Sequence, residues 1–155
     1  MKKNIDILVI PIATPILIGI YEDNKLIETI SQDGKTSDIL PNIFQTLLSK
    51  YNILNIYYTN GPGSYMAIKI GYIFLKTISI TKKINFQATS GFKFNNNSPI
   101  KALGKKYFFN SNNDKIEIKF LGELDTVETF KLPNILDKDI FSDDCLPNYN
   151  LPAVN

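Results

Sequence analysis

The chain of 155 residues contains no histidine and no tryptophan, and all 17 of its basic residues are lysine. Without histidine it lacks the commonest general base and metal ligand. Without arginine it lacks the bidentate fork that reads phosphates and guanine edges. Cys145 is the single cysteine, which excludes a disulfide framework, a cysteine-based zinc site and a Cys–His pair. No apolar run reaches about 18 residues, so no membrane span is expected. The start Met-Lys-Lys, followed by apolar Ile7 to Ile20, has the outline of a signal peptide. Pro11 and Pro15 interrupt it, however, and no small-residue cleavage site follows. The expectation is therefore a cytoplasmic protein. Net charge of +2 argues neither for nor against nucleic acid.

What is present is a hydrophobic fraction of 44%, enough for the core of one domain or one and a fraction. The most informative stretch runs from Asn60 to Ser79. Gly61 and Gly63 permit backbone angles that other residues resist, and Pro62 fixes one φ between them. Ser64 is an N-cap candidate, and the apolar run from Met66 to Ile80 is long enough for about four helical turns. Ile53 to Thr59, rich in Ile and Tyr, reads as a buried strand before it.

Along the chain, Ile5 to Ala13, Ile16 to Tyr21 and Lys25 to Ile30 read as three strands, the last two joined by Glu22-Asp23-Asn24. Thr36-Ser37-Asp38 opens a helix with capping residues and an early acid. Leu40, Ile43, Phe44, Leu47, Leu48 and Tyr51 follow at helical spacing. After the second helix, Ile84 to Ala88 is a short strand. Ile100 to Leu103 and Lys106 to Asn110 are expected to pair with Lys115 to Leu121 across a turn at 110–114. Lys131 to Asn155 is rich in Pro and Asp and is expected to be irregular, with a turn of helix at most. Within it Asp137, Asp139, Asp143 and Asp144 read as solvated acids and Cys145 as incidental.

The order β-β-β-α-β-α-β gives a mixed α/β layer and is that of one lobe of the actin-like ATPase fold. The expected division is an actin-like N-terminal lobe over 1–98, a truncated second lobe (a hairpin) over 99–130, and an irregular tail over 131–155.

Specific residues then carry a family resemblance. Gly61-Pro-Gly-Ser-Tyr-Met-Ala-Ile-Lys-Ile-Gly71 resembles the Gly-Pro-Gly-Ser-Phe-Thr-Gly-Leu-Arg-Ile-Gly signature of the TsaB (YeaZ) family. Ser37-Asp-Ile-Leu-Pro41 resembles its Ser-Glu-x-Leu-x-Pro helix start, and Ile7-Leu-Val-Ile-Pro-Ile-Ala-Thr14 takes the place of its first strand. Gly104-Lys-Lys-Tyr107 resembles a weaker second-lobe segment. The likeness covers roughly residues 5–110. It implies a catalytically silent scaffold subunit of the complex that makes N6-threonylcarbamoyladenosine at position 37 of tRNA. The implied partners are a TsaD-type catalytic subunit and a TsaE-type ATPase, with tRNA met indirectly. No cofactor or metal is implied, beyond a nucleotide held within the complex. Departures point the same way. Pro11 stands where the family has Asp, Thr36 where it often has His, Lys69 replaces the signature Arg, and Ala67 replaces a Gly.

Helical spacing divides the second helix. Ala67, Ile70, Gly71, Phe74 and Ile78 form one side, where small Ala67 and Gly71 allow close packing on the sheet. Tyr65, Ile68, Lys69, Tyr72, Ile73 and Lys76 form the other, too apolar for a solvated face. With Ile39, Phe44 and Leu48 of the first helix, this side is the expected partner interface of helices 36–51 and 64–80. Gly61, Gly63 and Ser64 are a candidate phosphate contact, set against a purely structural turn. Lys69, Lys76, Lys82 and Lys83 read as solubilising lysines. No residue is expected to be catalytic. The competing readings are a small actin-like-fold ATPase or kinase, and a self-associating module whose helix pair makes a homodimer.

Overall fold

The structure is a computed structural model that describes residues 1–111 and 115–150. A five-stranded sheet has the order β3-β2-β1-β4-β5, built from β1 (Asn4–Ile10), β2 (Ile16–Glu22), β3 (Lys25–Gln32), β4 (Asn52–Thr59) and β5 (Asn85–Thr89). β1, β2 and β3 form an antiparallel meander. β4 and β5 add in parallel, each after a helical crossover: α1 (Thr36–Lys50) before β4 and α2 (Tyr65–Lys82) before β5. A second sheet of three antiparallel strands has the order β6-β7-β8, with β6 (Ile100–Lys101), β7 (Lys106–Asn110) and β8 (Ile116–Phe120). The mixed α/β lobe read from the sequence is the one observed. Of the expected turn at 110–114, residues 112–114 lie outside the described residues, as do 151–155 of the tail.

Alternation along β1 divides the core. Ile5, Ile7 and Val9 face the helices and join Leu40, Phe44, Leu47 and Leu75 in one buried cluster. Leu8 and Ile10 face the other side and join Tyr21, Tyr57, Phe94, Leu136 and Phe141. A central strand covered on both faces reads as a continuous apolar run, and Ile5 to Ile10 is one except at Asp6. The Asp6 carboxylate is 5% exposed. It accepts a hydrogen bond from Asn55 Nδ2 at 2.6 Å and faces Lys138 Nζ at 3.0 Å.

The described part of the tail is irregular apart from one turn of helix, as expected, and it covers the second face of the sheet. Residues 133–148 form a strap that crosses under the sheet from one edge to the other. At the β3 edge Leu26 N donates to Asn134 O and Leu136 N donates to Asn24 O. At the β5 edge Ala88 and Ser142 exchange two backbone hydrogen bonds of 2.9 Å. Between these anchors lies a 3-10 turn at Lys138–Ile140. Leu136 and Phe141 are buried, and Phe141 packs on Tyr57 with ring centroids 4.4 Å apart. Composition alone gives an acidic, Pro-rich tail. Its few apolar residues are spaced to reach the sheet, and its acids serve turns and contacts. Asp137 Oδ1 accepts from Asp139 N, Asp144 Oδ1 accepts from Leu146 N, and Asp143 Oδ1 accepts from Gln87 Nε2.

One local expectation also changes. Thr36 and Ser37 lie inside the first turn of α1, whose N-cap is Lys35 with no side-chain hydrogen bond. α2 runs to Lys82 and closes on Lys83 in the left-handed conformation. Its start agrees with the sequence: Ser64 caps it, with Oγ accepting from Ala67 N.

Candidate functional site

The glycine turn leaves β4 and enters α2 at the carboxyl end of the parallel strands. Gly61, Pro62 and Gly63 are buried and Ser64 is exposed. Gly61 has φ +126° and lies against the Asn148 carbonyl, where a side chain has no room. Its own carbonyl accepts from Gly91 N at 2.9 Å. Gly63 allows close approach of Ile12, which a Cβ would meet at 2.6 Å. The turn is thus stitched to the β1–β2 connection, to the 3-10 turn at Gly91–Phe94 and to the strap.

Two clefts flank it. One, of about 580 Å³, lies between the 11–16 connection, residues 32–37 and the first turns of α2, with Thr14, Lys35, Ser37 and Ser64 among its walls. The other, of about 680 Å³, lies between the same connection and the small sheet, with Ser64, Asn95, Lys101 and Glu128 among its walls. At the end of β1, the position where the family motif carries an acid, the Pro11 ring packs on Gly71, whose added Cβ would sit 3.3 Å from it. Ala67 lines the first cleft beside Pro11.

The helical surface departs from the spacing argument. Ile68, Gly71, Leu75 and Ser79 are the buried residues of α2, so the helix is turned by one residue position from the expected face. Ile68 is fully buried, and Ile39 and Phe44 lie in the core at 4% and 1% exposure. These three are therefore not surface residues. Tyr72 is half-buried against Tyr58 and Phe86, and Leu48 is half-buried against the same core. The cause is that α2 is apolar around most of its circumference, so periodicity does not choose a face. The face is set by the sheet, by Pro11 and by the edge-on packing of Phe74 on Phe44, 5.4 Å between centroids.

Tyr65, Lys69, Ile73 and Lys76 do lie on the surface. The spacing argument missed Met66 and Ile80, which are 55% and 65% exposed. Met66, Ile73 and Ile80 recur every seven residues, which puts them in one line along the helix; that repeat is the signal that could have found them. Beside the line runs an apolar groove between the helices, walled by Pro41 of α1 and by Ile70, Phe74 and Thr77 of α2. Lys69 and Lys76 flank the line. Tyr65 turns aside to stack on Tyr149, just past the strap, centroids 4.5 Å apart.

The titratable groups nearby favour their neutral forms. Burial pushes the Cys145 thiol up to about 11, and its Sγ donates to Phe86 O at 3.2 Å. Burial, then the Asp6 carboxylate, pushes Tyr57 up to about 12. Burial raises Tyr58 further, and its hydroxyl donates to the Cys145 carbonyl. Cys145 is thus a buried structural thiol at neutral pH, not an incidental residue.

Among solved structures, the chain is similar to YeaZ from Pseudomonas aeruginosa, with a TM-score of 0.59 and 9% identity over 84% of this chain and 65% of that one. It is also similar to an uncharacterised protein described as resembling peptidase YeaZ from Pseudomonas aeruginosa, with a TM-score of 0.54, 9% identity and the same coverage. The chain thus spans 65% of the length of the proteins it matches. No protein-family profile and no curated protein matches the sequence. At this identity the likeness is one of fold, and the fold is a YeaZ-like, actin-like lobe.

Proposed function

We propose that this chain is a non-catalytic partner subunit of the complex that installs N6-threonylcarbamoyladenosine on tRNA, and that it docks a TsaD-type subunit along α2 and the α1–α2 groove. The observation that carries this reading is the line Met66, Ile73 and Ile80, three large apolar side chains exposed in register on one helix. Scattered exposed apolar residues are ordinary, but an aligned set beside an apolar groove favours a protein partner. The YeaZ-like fold and the glycine signature at 61–71 direct it to this partner. The chain supplies no cofactor of its own, tRNA is met through the complex, and the site of action is the cytoplasm. Pro11 supports the absence of catalysis, because its ring fills the place of the acid that actin-like ATPases use near phosphates. The peptidase in one neighbour's description is not carried over: a metal-dependent peptidase uses ligands such as paired His, and the sequence has none.

The experiment is co-purification with the TsaD-type protein of the same genome, alongside ATP turnover by this chain alone. A 1:1 complex that Ile73→Glu weakens at least tenfold, with no turnover by the isolated chain, is the expected result. Turnover by this chain without a complex would replace the scaffold with the ATPase reading. Ile73 is preferred to Tyr72 because a glutamate at 72 would enter the core beside Tyr58 and Phe86.

A further inference from the structure

The strap bonds to the first residues of β3 and to β5, but among the described residues nothing pairs with the outer edge of β8. An uncovered edge is a template for another strand. The hydrogen-bond phase shows which groups it offers. Ser111 N donates to Lys115 O at 2.8 Å, and the register runs on from Asn110 opposite Ile116 to Lys106 opposite Phe120. Antiparallel bonding alternates along a strand. Glu117 and Lys119 therefore bond to β7, and the backbone groups of Ile116, Ile118 and Phe120 point outward.

We propose that this edge pairs with β8 of a second copy of the chain, antiparallel about a two-fold axis at Ile118. In that register Ile118 faces the partner's Ile118, and Ile116 faces the partner's Phe120, so all outward groups are used. On the opposite face Glu117 lies across from the partner's Lys119, and Lys119 from the partner's Glu117. The neighbouring in-phase registers place Glu117 opposite itself or Lys119 opposite itself, and like charges directly opposite are unfavourable. The sequence Ile-Glu-Ile-Lys-Phe is thus self-complementary in one register only, which singles out another copy over an unrelated strand. Phe120 is 63% exposed in the isolated chain and gains an apolar neighbour. The two-fold closes the assembly and leaves no new edge. Because the pairing uses the small sheet, it leaves Met66, Ile73 and Ile80 free and does not depend on the proposed role of α2.

Edge pairing is a small interface, so a reversible dimer of micromolar affinity is expected. Sedimentation over a concentration series up to hundreds of micromolar reads it. Glu117→Lys and Lys119→Glu each put two like-charge pairs across the axis and are expected to weaken the dimer about tenfold. The combined exchange restores opposite charges and is expected to return the affinity to near the parent value. Both side chains are exposed, and circular dichroism checks that the variants fold. A chain that stays monomeric throughout overturns the proposal. So does a dimer indifferent to both single changes, or one abolished by Ile73→Glu, which would place the contact on the helices.

Discussion

Lys138 Nζ lies 3.0 Å from Asp6 Oδ2, joining an irregular segment near one end of the chain to the central strand near the other. The carboxylate is almost fully enclosed and the lysine is partly exposed. Removing the cation leaves a buried charge with Asn55 as its remaining side-chain partner, which is costlier than losing a surface pair. Lys138→Met is expected to lower the unfolding free energy by about 1–2 kcal/mol, read as a lower urea midpoint at an unchanged slope.

Phe141 tests the strap as a structural layer. It packs on Tyr57 and Phe94. Phe141→Ala is expected to cost about 3 kcal/mol in the same denaturation experiment, within the range for large-to-small core changes. A cost below about 0.5 kcal/mol, the scale of a neutral surface change, would mean that the strap does not cover the sheet in solution.

Gly61 combines a positive φ with a crowded Cβ direction. Gly61→Ala is expected to destabilise by at least about 2 kcal/mol, since strain and collision add. Gly104, with φ +58° and open space around it, carries the backbone term alone. Gly104→Ala is therefore expected to cost about 1 kcal/mol. The ratio between the two thermal shifts separates crowding from conformation.

Alkaline stability follows from the buried acids. Folding raises Cys145 to about 11 and Tyr57 to about 12, with Tyr21 and Tyr58 also raised, chiefly by burial. An acid whose folded pKa is raised binds its proton more tightly in the native state. Its contribution is complete below the unfolded pKa and is lost as pH rises through the folded value. Stability is therefore expected to fall from the ordinary thiol range upward, with the steepest loss between about pH 9 and 12. Phenolate absorbance should appear late, in step with unfolding. Phenolate signal from all eight tyrosines near the ordinary value, in a folded chain, would contradict the burial of Tyr21, Tyr57 and Tyr58.

Those same tyrosines show what the sequence could convey. Tyr57 and Tyr58 belong to Ile53 to Thr59, which reads as a buried strand, and both are buried. The order of elements along the chain, the glycine turn and the Ser64 cap follow from local chemistry and were legible. The orientation of α2 was not. Ile68, Ile73, Leu75 and Ile80 are alike in hydrophobicity, and only contacts with Pro11, Phe44 and the sheet decide which of them are buried. The strap was not legible because its order comes from partners roughly 50 to 110 residues away. Phe86, Ala88, Asn24 and Leu26 hold it, and no local pattern announces them.

The strap also bears on how the chain is made. Synthesis proceeds from the amino end at about 5–20 residues per second, so β1 to β5 emerge well before residues 133–148. Until those residues arrive, Leu8, Ile10, Tyr21 and Tyr57 lack the cover that Leu136 and Phe141 give them, and β5 stands open at its edge. The nascent chain thus carries a partly covered, adhesive sheet face for several seconds. That interval is when a chaperone has most to hold, and it ends when Phe141 reaches Tyr57.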